Sequence, residues 1–189
     1  LDLGLPAERV QLIRDAAASN ARTIVILEGG SAITMGEWLP DIEALLMVWY
    51  PGQMGGYAIA DLLFGRVNPS GKLPITFPTG LDQLPPFDNE SLLVTYDYFH
   101  GYRYLDRIGS TPEFPFGFGL SYTSFALDNL SASPAQASAG DVVRFAVDVT
   151  NTGPRPGAEV VQLYVSYTGS AVDRAELELK GFAKVILDP

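Results

Sequence analysis

Two short runs of almost uninterrupted apolar residues constrain the fold of this chain more than any other feature. They are TIVIL, from Thr23 to Leu27, and ALLMVWY, from Ala44 to Tyr50. Such runs are typical of strands in a parallel sheet, because helices cover both faces of that kind of sheet. The helical pattern PAERVQLIRDAAASN precedes the first run, and a second helical pattern spans Tyr57 to Phe64. The first part of the chain is therefore predicted to be α/β, as part of a mostly parallel sheet.

The glycine-rich segment GRVNPSGKLPITFP, residues 65–78, invites comparison with a phosphate-binding loop. That loop requires the pattern G-x-x-x-x-G-K-[ST], with a helix directly after the lysine. Here Gly65 and Gly71 are one residue too far apart, and Lys72 is not followed by Ser or Thr. A type I turn at residues 68–71 is predicted instead, leading into a third short strand, LPITF. The segment is therefore interpreted as a structural turn and strand rather than as a nucleotide-binding site.

Charge and cysteine content exclude several classes of function. The formal net charge of -10 opposes binding to nucleic acids and anionic membranes, because affinity for both depends on Lys and Arg. The chain has no cysteine, which rules out disulfides, thiol nucleophiles and zinc ribbons. Its apolar runs fall well short of the ~20 residues of a membrane span. We therefore expect no nucleic-acid partner, no membrane partner, no metal and no cofactor.

The composition changes after Pro78. From Thr79 to about Tyr122 the chain is rich in Pro, Gly, Asp and aromatic residues and lacks a clear period. Aperiodic regions of this length are uncommon within compact domains and are usually functional or interdomain. The aromatic content argues against disorder. We predict that the rings of this segment pack between domains, namely Tyr96, Tyr98, Phe99, Tyr102, Tyr104, Phe114, Phe116 and Phe118.

The last part of the chain alternates apolar and polar residues. VVRFAVDVTNTG places Val143, Phe145, Val147 and Val149 on one face, and AEVVQLYVS repeats the pattern. Turn residues separate these runs at intervals of ~10 residues, which is typical of a β-sandwich. Residues 122–189 are fewer than the ~100 of a complete sandwich of this class. The expected domain is therefore a partial one.

Several long motifs together resemble a known family. VWYPGQMGGYAIADLLFGRVNPSGKLPITFP, GYRYLD, FPFGFGLSYTSF, VTNTGPRPGAEVVQLYVS and ELKGFAKV occur in the order found in the C-terminal half of glycoside hydrolase family 3 enzymes of the β-glucosidase group. Members consist of a TIM-like barrel, an α/β sandwich and often a fibronectin type III-like domain. The resemblance implies that residues 1–78 belong to the α/β sandwich, that 79–121 form an interdomain linker, and that 122–189 form a partial fibronectin type III-like domain.

The resemblance also implies an activity, that of a retaining, exo-acting β-glycosidase, most simply a β-glucosidase that releases terminal β-linked glucose from oligosaccharides or glucosides. The implied partners are that substrate, the N-terminal barrel and the rest of the sandwich. A β-xylosidase or β-N-acetylglucosaminidase specificity is the alternative within the family. If the chain is complete, the alternative is a non-catalytic structural or carbohydrate-binding module.

The same resemblance assigns no catalytic residue to this chain. A retaining glycosidase uses two carboxyl groups about 5 Å apart, one as nucleophile and one as acid and base. In the family the nucleophile is an Asp on the barrel and the acid/base is usually a Glu on a sandwich loop. LDLGLPAERVQLI resembles the segment that follows that loop. Residues 1–189 alone are therefore expected to be inactive.

Five residues deserve individual interpretation. Glu28 follows a strand, at the edge where α/β sheets usually present ligand-binding loops. Together with Glu37 and Asp41, it is interpreted as a solvated loop acid or a helix-terminal charge rather than a sugar ligand. Trp38 is predicted to be a core or interface aromatic, with a sugar-stacking wall as the alternative. His100, the only histidine, is predicted to be a packed, hydrogen-bonded linker residue.

Overall fold

A computed structural model describes residues 2–88 and 90–189. Positions 1 and 89, which fall in the predicted α/β segment and linker, lie outside the described residues. The elements in chain order are α1 (Ala7–Ser19), β1 (Ile24–Glu28), β2 (Ala44–Trp49), α2 (Gly55–Leu63), α3 (Tyr102–Ile108), β3 (Phe125–Ser133), β4 (Arg144–Asn151), β5 (Gly157–Val165) and β6 (Glu178–Leu187). Parallel strands and helices precede antiparallel strands, as predicted for α/β followed by a partial sandwich.

The α/β part contains a two-stranded parallel sheet. β1 pairs with β2 from Ile24 opposite Ala44 to Glu28 opposite Trp49, with a register shift at the end of β1. A core lies against this sheet and consists of Val10, Leu27, Met35, Trp38 and Phe77. α1 contributes Val10 to that core because its apolar residues recur at helical spacing.

The faces of β1 differ from each other in burial. Leu27 is buried in the core, whereas Ile24 and Ile26 are 48% and 37% exposed. The expectation that this strand is buried on both faces is therefore wrong for the described residues. Only one face meets α1 and the connection between the strands, because successive side chains of a strand point to opposite sides.

The predicted third strand of the α/β part is also wrong. LPITF forms no regular strand, and Leu73 and Phe77 bond to the 114–118 segment and not to β1 or β2. The amide of Leu73 donates to the carbonyl of Phe118, and Phe77 forms an isolated antiparallel bridge with Phe114. Pro74 and Pro78 lack amide protons, so a regular ladder cannot extend through this segment.

The aromatic linker is more regular than its composition indicated. It contains α3 and a 3₁₀ turn at Leu81–Gln83. Gly101 and Gly109 flank α3 with φ angles of 59° and 63°, a region that glycine enters without steric cost. Among the eight rings predicted to pack there, only Tyr96 is more than half exposed, at 58%.

The sandwich part consists of two antiparallel pairs. β3 pairs with β4, and β5 pairs with β6. Val147 and Val149 are half-buried on alternate positions of β4, as the period of two predicts, whereas Phe145 stays exposed. β5 is half-buried along its whole length after Gly157.

Candidate functional site

The carboxyl ends of β1 and β2 form the edge at which a sheet of this kind presents ligand-binding groups. Glu28 is exposed at this edge, opposite Trp49. Trp49 has a positive φ of 53°, which is rare for a bulky residue, and its ring contacts Phe77 edge-on at 6.1 Å. Strained backbone of this kind is concentrated at functional sites. The edge is therefore a candidate contact surface for a ligand or a neighbouring domain.

Tyr50 extends this edge and is 80% exposed. A Cβ atom added at Gly30 would lie 2.5 Å from the Tyr50 hydroxyl, so the tyrosine ring lies directly over the glycine backbone. Met54, directly before α2, and Tyr57, in its first turn, are also exposed. The edge therefore presents apolar and aromatic side chains in addition to the carboxylate of Glu28.

The connection between β1 and β2 contains the other acidic candidates, and α1 holds it in place. Arg14 donates to the backbone carbonyl of Glu37 at 2.5 Å and pairs with Asp41 at 3.8 Å. Both acidic residues are exposed, as the preferred interpretation expected. Trp38, between them, is 1% exposed and belongs to the core, so its ring offers no face to a sugar.

A second group of contacts joins the α/β part to the sandwich through the NPSGK turn. Asn68 accepts hydrogen bonds from the Ser121 hydroxyl at 2.9 Å and the Tyr122 amide at 2.8 Å. Its amide group donates to the carbonyl of Pro156 at 3.0 Å. One side chain thus bonds to both the start of the sandwich part and the approach to β5.

Lys72 completes this junction with an ion pair that is largely withdrawn from water. Its ammonium lies 2.9 Å from Glu159 of β5 and donates to the Gly119 carbonyl at 2.7 Å. Both charged side chains are only 16% exposed. The residue that resembled a phosphate-loop lysine is therefore engaged with protein groups, in keeping with the architectural interpretation. We call the contacts of Asn68 and Lys72 the junction.

A buried carboxylate anchors the linker to β6. Glu178 is 4% exposed and accepts a hydrogen bond from the Tyr98 hydroxyl at 2.5 Å, and it also bonds Lys180. The hydrogen bond from Lys180, followed by that from Tyr98, lowers the pKa of Glu178. Sequence reasoning did not single out this residue. The only indication in the sequence was an acidic residue within a segment whose alternating apolar and polar residues predict a strand.

Aromatic contacts extend this anchor. The Tyr102 hydroxyl accepts from the Leu179 amide at 3.0 Å, and its ring meets Tyr164 edge-on at 6.0 Å. The Arg103 guanidinium lies over the rings of Tyr98 and Tyr102 at 4.9 and 5.6 Å. Burial raises the pKa of Tyr164, which keeps its hydroxyl neutral. Tyr98 and Tyr102 of the linker therefore pack against β5 and β6.

His100 lies on the outer side of the linker. Its Nδ1 atom is 2.6 Å from the Asp97 carbonyl, and its ring meets Tyr96 edge-on at 6.2 Å. Because a carbonyl only accepts, Nδ1 carries the proton. The expected hydrogen bond is present, whereas the side chain is exposed and not packed.

The described residues contain no group of three or more His, Cys, Asp or Glu side chains arranged to hold a metal ion. Within residues 2–88 and 90–189, every helix is too short or too polar to cross a bilayer.

These observations define a class of architecture, a parallel α/β segment followed by an aromatic linker and antiparallel strand pairs of a β-sandwich. Profile comparison agrees with both parts. The profile of the glycosyl hydrolase family 3 C-terminal domain matches residues 1–122, and that of the fibronectin type III-like domain matches residues 159–189. The chain belongs to glycoside hydrolase family 3, which confirms the resemblance seen in its motifs.

Individual relatives support the same assignment. The chain is 42% identical over 99% of its length to a probable beta-glucosidase I from Aspergillus terreus, and covers 23% of that protein. It is also 42% identical over 99% of its length to thermostable beta-glucosidase B from Acetivibrio thermocellus, and covers 25% of it. The chain therefore spans about a quarter of the length of the curated relatives it matches.

Solved structures match at the level of the backbone. The crystal structure of a family 3 beta-glucosidase from Bifidobacterium adolescentis superposes with a TM-score of 0.90 at 38% identity, over 99% of this chain and 28% of that one. Beta-glucosidase 3B from Thermotoga neapolitana in complex with glucose gives 0.91 at 34% identity, over 99% of this chain and 27% of that one.

Proposed function

We propose that the polypeptide carrying this chain is a retaining, exo-acting β-glucosidase that releases terminal β-linked glucose from oligosaccharides or glucosides. The observation that carries the proposal is the close similarity, over 99% of the chain, to proteins named as β-glucosidases. One of the similar structures was determined with glucose bound. A shared fold alone would be weaker support, because one fold hosts many functions.

In this proposal the chain has an organising role and the reacting carboxylates lie elsewhere in the polypeptide. Three carboxylates of the chain are bonded to other side chains, which supports that division. Asp41 pairs with Arg14, Glu178 is bonded to Tyr98 and Lys180, and Glu159 is bonded to Lys72. These carboxylates hold structure together. The residue ranges 1–78, 79–121 and 122–189 are proposed as the α/β part, the linker and the sandwich part.

The exposed apolar groups of the α/β part favour contact with further domains of the same polypeptide. Ile24 and Ile26 lie on the open face of β1, and Tyr50 and Tyr57 lie at the carboxyl edge. Exposed apolar groups that cluster usually mark an interaction site. We propose that the remaining sandwich covers β1 and that the barrel faces the carboxyl edge.

The experiment compares substrates with the full-length polypeptide. Aryl β-glucoside, β-xyloside and β-N-acetylglucosaminide are assayed in parallel, and NMR identifies the anomer that forms first. We expect the highest kcat/KM on the glucoside and a β-configured first product, since a retaining mechanism proceeds by double displacement. Preference for the xyloside or the glucosaminide, or an α-configured first product, would contradict the proposal, and absence of turnover would favour a non-catalytic module.

A further inference from the structure

A cavity of about 490 Å³ opens beside the linker, on the outer side of α3. Four separate pieces of chain line it: Pro85 and Pro86, the turn that contains Tyr96, α3, and Asp173 from the connection between β5 and β6. Its size is within the range of small-molecule sites, about 300–1,000 Å³. We call it the linker pocket. Neither the junction nor the Glu178 anchor uses it.

Aromatic side chains form much of the pocket wall. Tyr96 is 58% exposed, and Tyr104, Phe99 and His100 line the same cavity. The Arg107 guanidinium covers the face of the Phe99 ring at 3.9 Å, whereas the Tyr96 ring is more than half exposed. An exposed aromatic face with prolines opposite offers an apolar surface to a flat ligand.

Polar groups lie at the rim of the same pocket. Arg107 and Asp173 form an ion pair with a nitrogen–oxygen distance of 2.7 Å, and their side chains are 47% and 68% exposed. No other hydrogen bond to the Asp173 carboxylate occurs among the described residues. The pair brings the two side chains together at the rim, while acceptor oxygens and guanidinium protons stay available to a ligand.

Charge selects among ligands for such a pocket. Its lining contains the carboxylates of Asp97 and Asp173 but a single permanent cation, Arg107. The surrounding chain has a formal net charge of -10. An anionic ligand is therefore repelled, whereas a neutral polyol meets both donors and acceptors. A pyranose combines an apolar C–H face with hydroxyl groups at its edge, which matches an aromatic wall with an ion pair at the rim.

We infer that the linker pocket binds a neutral pyranose sugar, with the ring against Tyr96 and hydroxyl groups bonded to Asp173 and Arg107. The choice of a sugar over other neutral polyols rests on the proposed β-glucosidase function. The pocket itself rests on geometry alone. His100 supports the site by holding the 95–100 turn through its bond to the Asp97 carbonyl.

The test uses the full-length polypeptide labelled with 3-fluorotyrosine. The ¹⁹F resonance of Tyr96 is assigned by its disappearance in the conservative Tyr96→Phe variant. D-glucose is then titrated, and D-glucuronate serves as the anionic comparison. We expect a saturable shift of the Tyr96 resonance with glucose and a weaker response to glucuronate. A Tyr96 resonance that stays in place at saturating glucose, or that responds more strongly to glucuronate, would overturn the inference.

Matched variants locate the binding. Asp173→Asn removes the carboxylate charge at the rim and is expected to weaken glucose binding about tenfold, since a bond to a charged group contributes more than a neutral one. Asp188→Asn changes an exposed carboxylate outside the pocket and should leave the affinity unchanged. Equal affinities in the two variants would contradict the inference.

Glucosidase activity is measured on the same preparations, so that the proposed function and the proposed sugar site can be refuted independently of each other. An active enzyme whose Tyr96 resonance does not shift with glucose would refute only the proposed sugar binding in the linker pocket. A glucose-dependent shift in a polypeptide without glycosidase activity would refute only the proposed β-glucosidase function. The linker pocket would then be a carbohydrate-binding site in a non-catalytic protein.

Discussion

Replacing Lys72 by methionine tests whether the junction holds the two parts of the chain together. Methionine keeps most of the apolar length of the side chain but removes the ammonium that bonds Glu159 at 2.9 Å and the Gly119 carbonyl at 2.7 Å. Glu159 is then left with its bond from the Val160 amide. The substitution therefore leaves the Glu159 carboxylate, which is only 16% exposed, without a charged partner.

The expected cost lies between two limits. An exposed ion pair contributes about 0–1 kcal/mol, whereas removing one partner of a fully buried pair costs about 3–5 kcal/mol. Because both side chains of this pair keep some contact with water, we expect about 2 kcal/mol. That value corresponds to local opening that is about 30-fold more frequent.

Hydrogen–deuterium exchange of the full-length polypeptide measures this opening directly. Peptides that cover β5 and residues 115–120 should exchange about 30-fold faster in Lys72→Met. Lys184→Met removes a bond from an exposed lysine to Ser70 and should change exchange little. Equal effects of the two variants, or additive effects of Lys72→Met and Glu159→Gln in a double-mutant cycle, would refute the reasoning.

Three further predictions concern the anchor, a close backbone contact and the isolated chain. Because its bonds lower the pKa of Glu178, the anchor is fully effective above the ordinary value of 4.5 and is lost as the pH falls through the folded value. The opening of residues 175–180, obtained from exchange rates divided by the intrinsic amide rates at each pH, should therefore increase on acidification, and Glu178→Gln should abolish that pH dependence; an unchanged profile in the variant would contradict it. A Cβ at Gly119 would lie 2.1 Å from the Gly71 carbonyl oxygen, so Gly119→Ala should destabilise by about 2 kcal/mol or more, whereas Gly56→Ala, with open space around it on α2, should be neutral or stabilising. The midpoints of urea unfolding of the two variants are compared with that of the unchanged protein, and equal shifts in both variants would contradict the prediction. Residues 1–189 expressed alone should not turn over aryl β-glucoside or β-xyloside, and activity above the blank that Glu37→Gln abolishes would show that this chain carries chemistry.

Local sequence signals predicted the elements whose partners are near in the chain. The apolar runs of β1 and β2 pair across one short connection, and the helices before and after them follow from periodicity. The prediction that LPITF is a third strand of the α/β sheet failed because the partners of this segment lie about 40 positions later, around Phe114 and Phe118. No local sequence pattern encodes such a distant pairing. The helix α3 was missed because it is a short element within an aromatic segment, although its flanking glycines were a usable boundary signal.

The same limit applies to the candidate sites. The sequence excluded a phosphate loop at Lys72, but it could not identify Glu159 as the partner, because 87 positions separate the two residues. Tyr98 and Glu178 are likewise 80 positions apart. Burial of Trp38 agreed with its apolar surroundings, whereas the exposure of Ile24 and Ile26 depends on which neighbouring strands are present. Long-range polar contacts were therefore the part that periodicity could not predict.

The most direct test of the account asks whether this chain organises the enzyme or takes part in its chemistry. In the full-length polypeptide, Glu28→Gln, Glu37→Gln and Asp41→Asn are combined, and kcat on an aryl β-glucoside is compared with that of the unchanged protein. We expect a kcat within about threefold of the original, because none of these exposed acids is assigned to the reaction. A loss of about a thousandfold or more, with the fold intact by circular dichroism, would place a catalytic carboxylate in this chain and contradict the account.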